Sequence, residues 1–424
     1  MLDINFIRNN PEKVIETCRK RQVDIDVDYF LKLDKERRRL IQESESIKAE
    51  QNKISRNISQ DKIEKAKELK EEYKKLSSRL GEVEKEFKSI LLKIPNIPLD
   101  RVPVGRDEND NKVIKKEGKI PEFDFKPKDH LEIGEKLDLI DTQKAAEVSG
   151  ARFNYLKGEA VLLEFALVNY AFDVLTSPKI IKKIARSLDC PGNIFLPIIP
   201  PVMIQPEVFK KTARISEENK EERYYLPKDN LYLIGSSEHT LGPLQMNEKL
   251  AEKDLPLRYV GFSTCFRREA GSYGQDTKGI LRVHQFDKIE MESFTKPEES
   301  LKEHNFFVAL QEYLVASLGI PYQVVEICTG DMGTPDASQI DIECWIPSQN
   351  KYRETHSADL VTDYQSRRLN IKIQENKKFV HMNDATAFAI GRTIVAILEN
   401  FQNKDGSINV PKVLWKYTGF KKII

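Results

Sequence analysis

Between residues 27 and 94 the apolar positions repeat with helical spacing. In the second half they run Ala66, Leu69, Tyr73, Leu76, Leu80, Val83, Phe87, Ile90 and Ile94, alternating intervals of three and four that line one helix face with a continuous seam. The first half repeats at seven through Leu33, Leu40, Ile47 and Ile54, but Arg37, Ser44 and Gln51 hold the alternate positions, so its seam is narrower. The segment has no proline and one glycine, Gly81, the composition of long helices. Short polar residues in Asn57-Ile58-Ser59-Gln60-Asp61 predict a break between two helices. Each helix of about 30 residues would reach roughly 45 Å and fold back as an antiparallel hairpin. Periodicity alone leaves open whether this arm is a dimerisation coiled coil or spacer, or carries a function of its own. The lysines of the second helix (Lys62, Lys65, Lys67, Lys70, Lys74, Lys75, Lys85 and Lys88) alternate with glutamates and read mostly as a solvated face.

The pattern stops at residue 95. Pro95, Pro98, Pro103, Pro121 and Pro127, with the polar run Arg106 to Asn111, read as a linker, with the domain boundary at 104/105. Beyond it, apolar helical stretches (Ala160 to Leu175, Leu301 to Leu318, Ala385 to Phe401) are interspersed with β-rich ones at Leu231 to Ile234, Leu257 to Phe262, Gln323 to Cys328 and Ile340 to Ile346. Regular β-α-β alternation is absent, so the predicted fold is α+β: a helical-hairpin arm in residues 1–104, then a mainly antiparallel sheet flanked by helices in 105–424.

Composition narrows the partners. Lys plus Arg number 68 against 67 Asp plus Glu, so there is no global basic field and any polyanion must meet a local patch. The five cysteines (Cys18, Cys190, Cys265, Cys328, Cys344) are scattered without C-x2-C spacing; they read as reduced thiols, and no zinc site is expected. The first residues lack a basic stretch followed by an apolar one, and no run approaches a membrane span, so the expectation is a cytoplasmic protein without membrane contact.

No glycine-rich phosphate loop is present, so a nucleotide needs another anchor. Phe266-Arg267-Arg268-Glu269-Ala270-Gly271 and the return Arg282-Val283-His284-Gln285-Phe286 read as strand, loop and strand, and period-two alternation predicts Arg267 and Glu269 on one face, with Arg282, His284 and Phe286 alternating likewise. Arginine forks suit phosphoryl oxygens, a carboxylate accepts from an amino group, and an aromatic face stacks on a base. Further on, Gly391-Arg392 opens an apolar helix, and a buried arginine there calls for an anion.

These residues carry a resemblance. Arg267-x-Glu269 with Arg282 and Phe286 resembles motif 2 (about 257–290) of class II aminoacyl-tRNA synthetases, Gly391-Arg392 with its helix resembles motif 3 (about 386–401), and Phe195 to Pro201 resembles the end of motif 1 (about 180–201), the dimer element. Met1-Leu2-Asp3-Ile4, the arm, His284-Gln285-Phe286-Asp287-Lys288 and Thr329-Gly330-Asp331-Met332-Gly333 are similar to seryl-tRNA synthetases of the bacterial type. The resemblance implies ATP-dependent activation of L-serine and its transfer to the 3′ end of serine tRNA, with selenocysteine tRNA a further candidate, by a homodimer.

It also implies roles. Arg267 would hold the α-phosphate and meet serine, Glu269 the adenine amino group, Phe286 the base with Val283 beside it, and Arg392 the γ-phosphate; Arg282 would touch the amino-acid side of the adenylate. Glu290 would bind the serine amino group with Ser236, Ser237 and Glu238, Thr386 would read the hydroxyl, and Glu354 and Ser357 would hold Mg2+. The arm would lie along the long variable arm of the tRNA. This chain departs from the family in places: Ser236-Ser237-Glu238 stands for Thr-Ala-Glu, Asp384-Ala385-Thr386 for Asn-Gly-Ser, and Ala358-Asp359-Leu360 for Cys-Ser-Asn. Two other readings stand beside this one. A carrier-protein amino-acid ligase would not need the arm, and a catalytically silent tRNA-binding paralogue would be expected to lose Arg267, Glu269 or Arg392, all of which are present.

Overall fold

The computed structural model describes residues 1–55, 60–217, 219–270 and 279–424, with side chains from residue 64 onward in the second arm helix. Of the break expected at Asn57 to Asp61, residues 57–59 lie outside the described residues, as does the polar loop 271–278, whereas Gln60 and Asp61 open the second arm helix. The chain divides into two compact units, Met1–Ile97 and Pro98–Ile424. The division falls earlier than residue 104, because residues 98–104 pack into the second unit. There Leu99 N donates to Ala337 O at 2.8 Å, and Val102 clusters with Val325, Ile327 and Met332.

In the first unit two short helices, α1 (Ile4–Asn9) and α2 (Pro11–Lys20), precede the arm helices α3 (Val27–Ser55) and α4 (Gln60–Lys93). Asp3 caps α1, accepting from Asn5 N at 2.7 Å, and Pro11 sits in the first turn of α2, where its missing N–H costs nothing. The seam read from spacing is the packed face: Leu33, Leu40, Ile47, Leu69, Val83, Phe87 and Ile94 are buried. Phe30 stacks on Phe87 with ring centroids 4.9 Å apart, and Arg37, at a core position, lays its guanidinium 4.6 Å over the same ring, which keeps its charge at the edge of the seam. Tyr29 donates to Glu86 at 2.6 Å, Arg79 meets Glu36 at 2.9 Å and Lys65 meets Glu50 at 2.8 Å. Partner numbers fall on one helix as they rise on the other, so the pair is antiparallel. Exposed ion pairs add little stability; the apolar seam holds the hairpin closed.

The second unit is built on one eight-stranded sheet. Its strands are β1 (Lys112–Glu117), β2 (Leu196–Ile198), β3 (Leu257–Phe266), β4 (Gln285–Thr295), β5 (Tyr322–Glu326), β6 (Ser338–Ile346), β7 (Lys351–Thr362) and β8 (His381–Ala389). They lie in the order β1-β5-β6-β7-β8-β4-β3-β2, antiparallel throughout except where β2 meets β3. Two sequence readings need correction. The linker contains β1, an edge strand whose six residues are all exposed; its polar Lys-Val-Ile-Lys-Lys-Glu composition blunts the edge and hides the strand. Residues 385–389, predicted as helix, complete β8, which is buried almost throughout and so lacks the alternation of a half-buried strand.

Helices α5 (Glu159–Leu175), α6 (Pro178–Ser187), α7 (Pro206–Thr212), α8 (Glu238–Leu241), α9 (Ser300–Leu318) and α10 (Ile390–Asn400) complete the frame. Leu163 and Leu167 of α5, Leu310 and Leu314 of α9 and Ile394 and Ile397 of α10 share one core with Met291, Ile342 and Phe388 of the sheet. Within it Arg258 of β3 is wholly buried, with Nε and Nη2 each 2.7 Å from an oxygen of Glu303 on α9 and its guanidinium 4.2 Å over Phe306. Among the described residues no single helix is long and apolar enough to cross a membrane.

Candidate active site

Strand β3 ends at Phe266 and β4 begins at Gln285, so strict alternation does not run through the turn between them. Glu269 even takes a left-handed backbone, with φ 52°. The turn nonetheless brings Arg267, Glu269, Arg282, Val283 and Phe286 to one cavity of about 310 Å³, whose other walls include Glu238, Glu354, Ser357, Thr386 and Arg392. His284 does not line it: the ring packs 5.3 Å from Phe153, and Nδ1 lies 3.0 Å from Arg267 O.

One part of the wall is cationic. Arg267 donates from Nε to Gly235 O at 3.1 Å and sets its guanidinium 5.3 Å from the centre of the Phe286 ring. Arg282 makes a short hydrogen bond to Glu269. Arg392, in the first turn of α10, is 31% exposed rather than buried as expected, and lies 3.0 Å from both Glu354 Oε1 and Glu354 O. Arg282, Glu354 and Arg392 also line an adjoining polar cavity of about 550 Å³ together with Arg353. The cavity walls disfavour charge on Glu354, but Arg392 and then Arg267 outweigh them and hold its carboxyl below the usual range. Several guanidinium forks beside an aromatic face can hold a polyphosphate and a base.

Another part is acidic; of the residues expected there, Glu290 and Ser236 are buried and do not line the wall. Thr386 on β8 pairs with Glu290 on β4 and its hydroxyl reaches Glu290 Oε1 at 3.5 Å, while Ser236 donates to Oε2 at 3.3 Å and Lys288 Nζ lies 2.6 Å from the same oxygen. Burial lifts Glu290 to about 7 against the pull of Lys288. Burial also opposes charge on Glu238, but Arg214, His239 and Lys288 outweigh it and hold this carboxyl well below the usual range. Ser237 is fully buried, donates to Gly261 O at 3.5 Å and is absent from the cavity wall. Burial pushes His239 down to about 4 and His356 to about 3, so both imidazoles are neutral near pH 7.

Sequence reasoning missed Lys288, Arg214, Asp336 and Gln339, all of which line the cavity. Extending the period-two face from Phe286 through Lys288 to Glu290 and Glu292 would have found Lys288. Arg214 follows α7 beyond Ala213, which caps the helix in a left-handed conformation; nothing local marks it.

A seryl-tRNA synthetase N-terminal domain model matches residues 1–98, and a class II tRNA synthetase core domain model (G, H, P, S and T) matches residues 221–401. The serine–tRNA ligase of Borrelia recurrentis is 43% identical, over 100% of this chain and 99% of its own. A crystal structure of seryl-tRNA synthetase from Pyrococcus horikoshii complexed with ATP matches with a TM-score of 0.90 at 41% identity, covering 100% of this chain and 99% of that one. The cytoplasmic serine–tRNA ligase of Naegleria fowleri, in complex with AMP, gives 0.86 at 33% identity over 100% and 98%. The agreement runs the length of the chain and takes in both the helical arm and the sheet that carries the cavity, so the chain belongs to the seryl-tRNA synthetase family.

Proposed function

We propose that this protein activates L-serine with ATP and transfers the seryl group to serine tRNA. The observation that carries this is a single cavity whose wall is arginine-rich beside Phe286 and carboxylate-rich beside Thr386, in a chain of this family. An oxygen of the serine carboxylate attacks the α-phosphorus of ATP, the bond to the β-phosphate breaks, and pyrophosphate leaves with seryl-adenylate formed. A terminal ribose hydroxyl of the tRNA then attacks the activated carbonyl, loses its proton and expels AMP. No protein nucleophile is required.

Arg267 holds the α-phosphate, where charge builds up in the transition state, and Phe286 offers the face on which adenine stacks, with Val283 at its edge. Glu269 accepts from the adenine amino group, and Arg392 takes the γ-phosphate. Arg282 is expected on the amino-acid side of the adenylate, but its bond to Glu269 and its place in the adjoining polar cavity favour a role bracing the adenine side and reaching toward the phosphates. The carboxylate of Glu290, flanked by Ser236 and Lys288, receives the serine ammonium with Glu238 nearby, and Thr386 meets the serine hydroxyl. Ser237 serves by packing. Glu354 and Ser357 would hold Mg2+: both offer hard oxygen atoms on β7, and the buried Asp341 lies opposite Ser357, a donor set that fits this ion and few softer ones. When bound, the ion neutralises phosphate charge.

Two further parts of the reading concern partners. The exposed lysines of α4 form a local basic surface for the tRNA backbone. Leu162 and Phe165 on α5 and Ile194, Leu196, Ile199 and Met203 around β2 are large apolar side chains left exposed, and a second copy of the chain would cover them. The test is ATP–pyrophosphate exchange with each of the twenty amino acids. Exchange driven by serine supports the reading, and exchange with none of them would overturn it.

A further inference from the structure

The sheet register sets three acids abreast under the amino-acid end of the cavity. Asp359 on β7 faces Asp384 on β8, which faces Glu292 on β4, and all three are buried. Like charges directly opposite one another destabilise a sheet, and burial pushes all three carboxyls up toward the neutral form against the pull of Arg214. Arg214 is the cation beside two of them. Its Nη2 lies 2.8 Å from Asp359 Oδ2 and 2.9 and 3.0 Å from the two oxygens of Asp384, its Nη1 lies 3.3 Å from Asp336 Oδ2, and its Nε is 3.2 Å from Glu238 Oε1. A guanidinium held by four carboxyl groups cannot swing aside without leaving several of them buried and unpaired.

This fixed group also faces the cavity. Arg214 lines it with Glu238, Asp359 and Thr386, whereas Asp384 and Glu292 do not reach it. Asp384 and Thr386 are two residues apart on one strand and therefore share a face, about 7 Å apart along it. An amino-acid side chain that passes Thr386 meets Arg214 in front of Asp384.

We propose that Arg214 is the specificity-determining residue of the amino-acid subsite: it closes the far end of the subsite and holds Glu238 beside the substrate ammonium. This deepens the serine reading and rests on it. Two variants test it, Arg214→Gln alone and Arg214→Gln with Asp384→Asn, the second removing one carboxylate along with the cation. Pyrophosphate exchange is measured with the twenty amino acids on the wild type and both variants, with KM for ATP and the melting temperature alongside.

The double variant is expected to fold and keep its KM for ATP while melting below the wild type, since Asp336 and Asp359 stay buried without their cation. Its KM for serine should rise about tenfold, and its preference for serine over threonine should fall by about tenfold or more, since a single methyl group in a fitted pocket separates substrates by about 10- to 200-fold. A folded double variant with serine KM and amino-acid profile within about twofold of wild type would overturn the assignment. So would loss of folding in both variants, which would reduce Arg214 to a structural counter-ion. If the wild type activates a different amino acid, the serine reading falls and the change of profile still decides the role of Arg214; if it activates none, both fall.

Discussion

Arg267 and Glu290 carry opposite halves of the chemistry, and each makes a separate claim. Arg267→Ala should lower kcat for adenylate formation by about 10²-fold or more, because a cation aimed at developing phosphoryl charge acts mainly in the transition state. The melting curve should stay intact, as this side chain has one backbone partner and lies open to the cavity; near-normal exchange would remove it from the reaction. Glu290 binds an ammonium only as the carboxylate, and its carboxyl is lifted to about 7. kcat/KM for serine should therefore rise with pH to a plateau above about 7 and fall below it, and Glu290→Gln should lower the plateau and abolish that limb. A pH profile flat between 6 and 8 for the wild type would contradict the assignment. A third side chain reports on the frame alone: Glu303→Ala leaves Arg258 buried without its carboxylate, which should cost about 3–5 kcal/mol in denaturant unfolding.

Among the secondary-structure elements, the arm was the most legible from sequence, because its helices pack along one face and the seam repeats apolar residues at a regular spacing. Strand β1 was hidden since an exposed edge shows no alternation, and the second half of β8 was misread as helix since burial on both faces removes any period. The same physics divides the site: Arg267, Glu269, Phe286 and Arg392 lie in compact motifs, whereas Arg214 is defined by acids from four distant segments and leaves no local trace. Deletion of residues 30–92 tests the arm directly. Its ends lie close together, as the Phe30–Phe87 stack and the Tyr29–Glu86 hydrogen bond require, and the proposed ATP and serine contacts, Arg214 included, all lie beyond residue 213. Serine-dependent exchange should survive the deletion while charging of tRNA is lost. Retention of both activities would make the arm a spacer, and loss of both would make it part of the catalytic fold.

For the molecule as a whole, a near-neutral charge balance of +1 means that tRNA must be held by local basic surface, and its affinity should fall steeply with salt as counterions are released. The apolar side chains left exposed around β2 should be covered in solution, so light scattering is expected to give about twice the mass of one chain at micromolar concentration; a single-chain mass would contradict the dimer. Activation, transfer and recognition meet in one assay, the attachment of labelled serine to serine tRNA by the purified full-length protein with ATP and Mg2+. The account requires that serine become linked to the tRNA 3′ end with stoichiometric formation of AMP and pyrophosphate. Exchange with serine that never yields charged tRNA, or charging with another amino acid in its place, would contradict it.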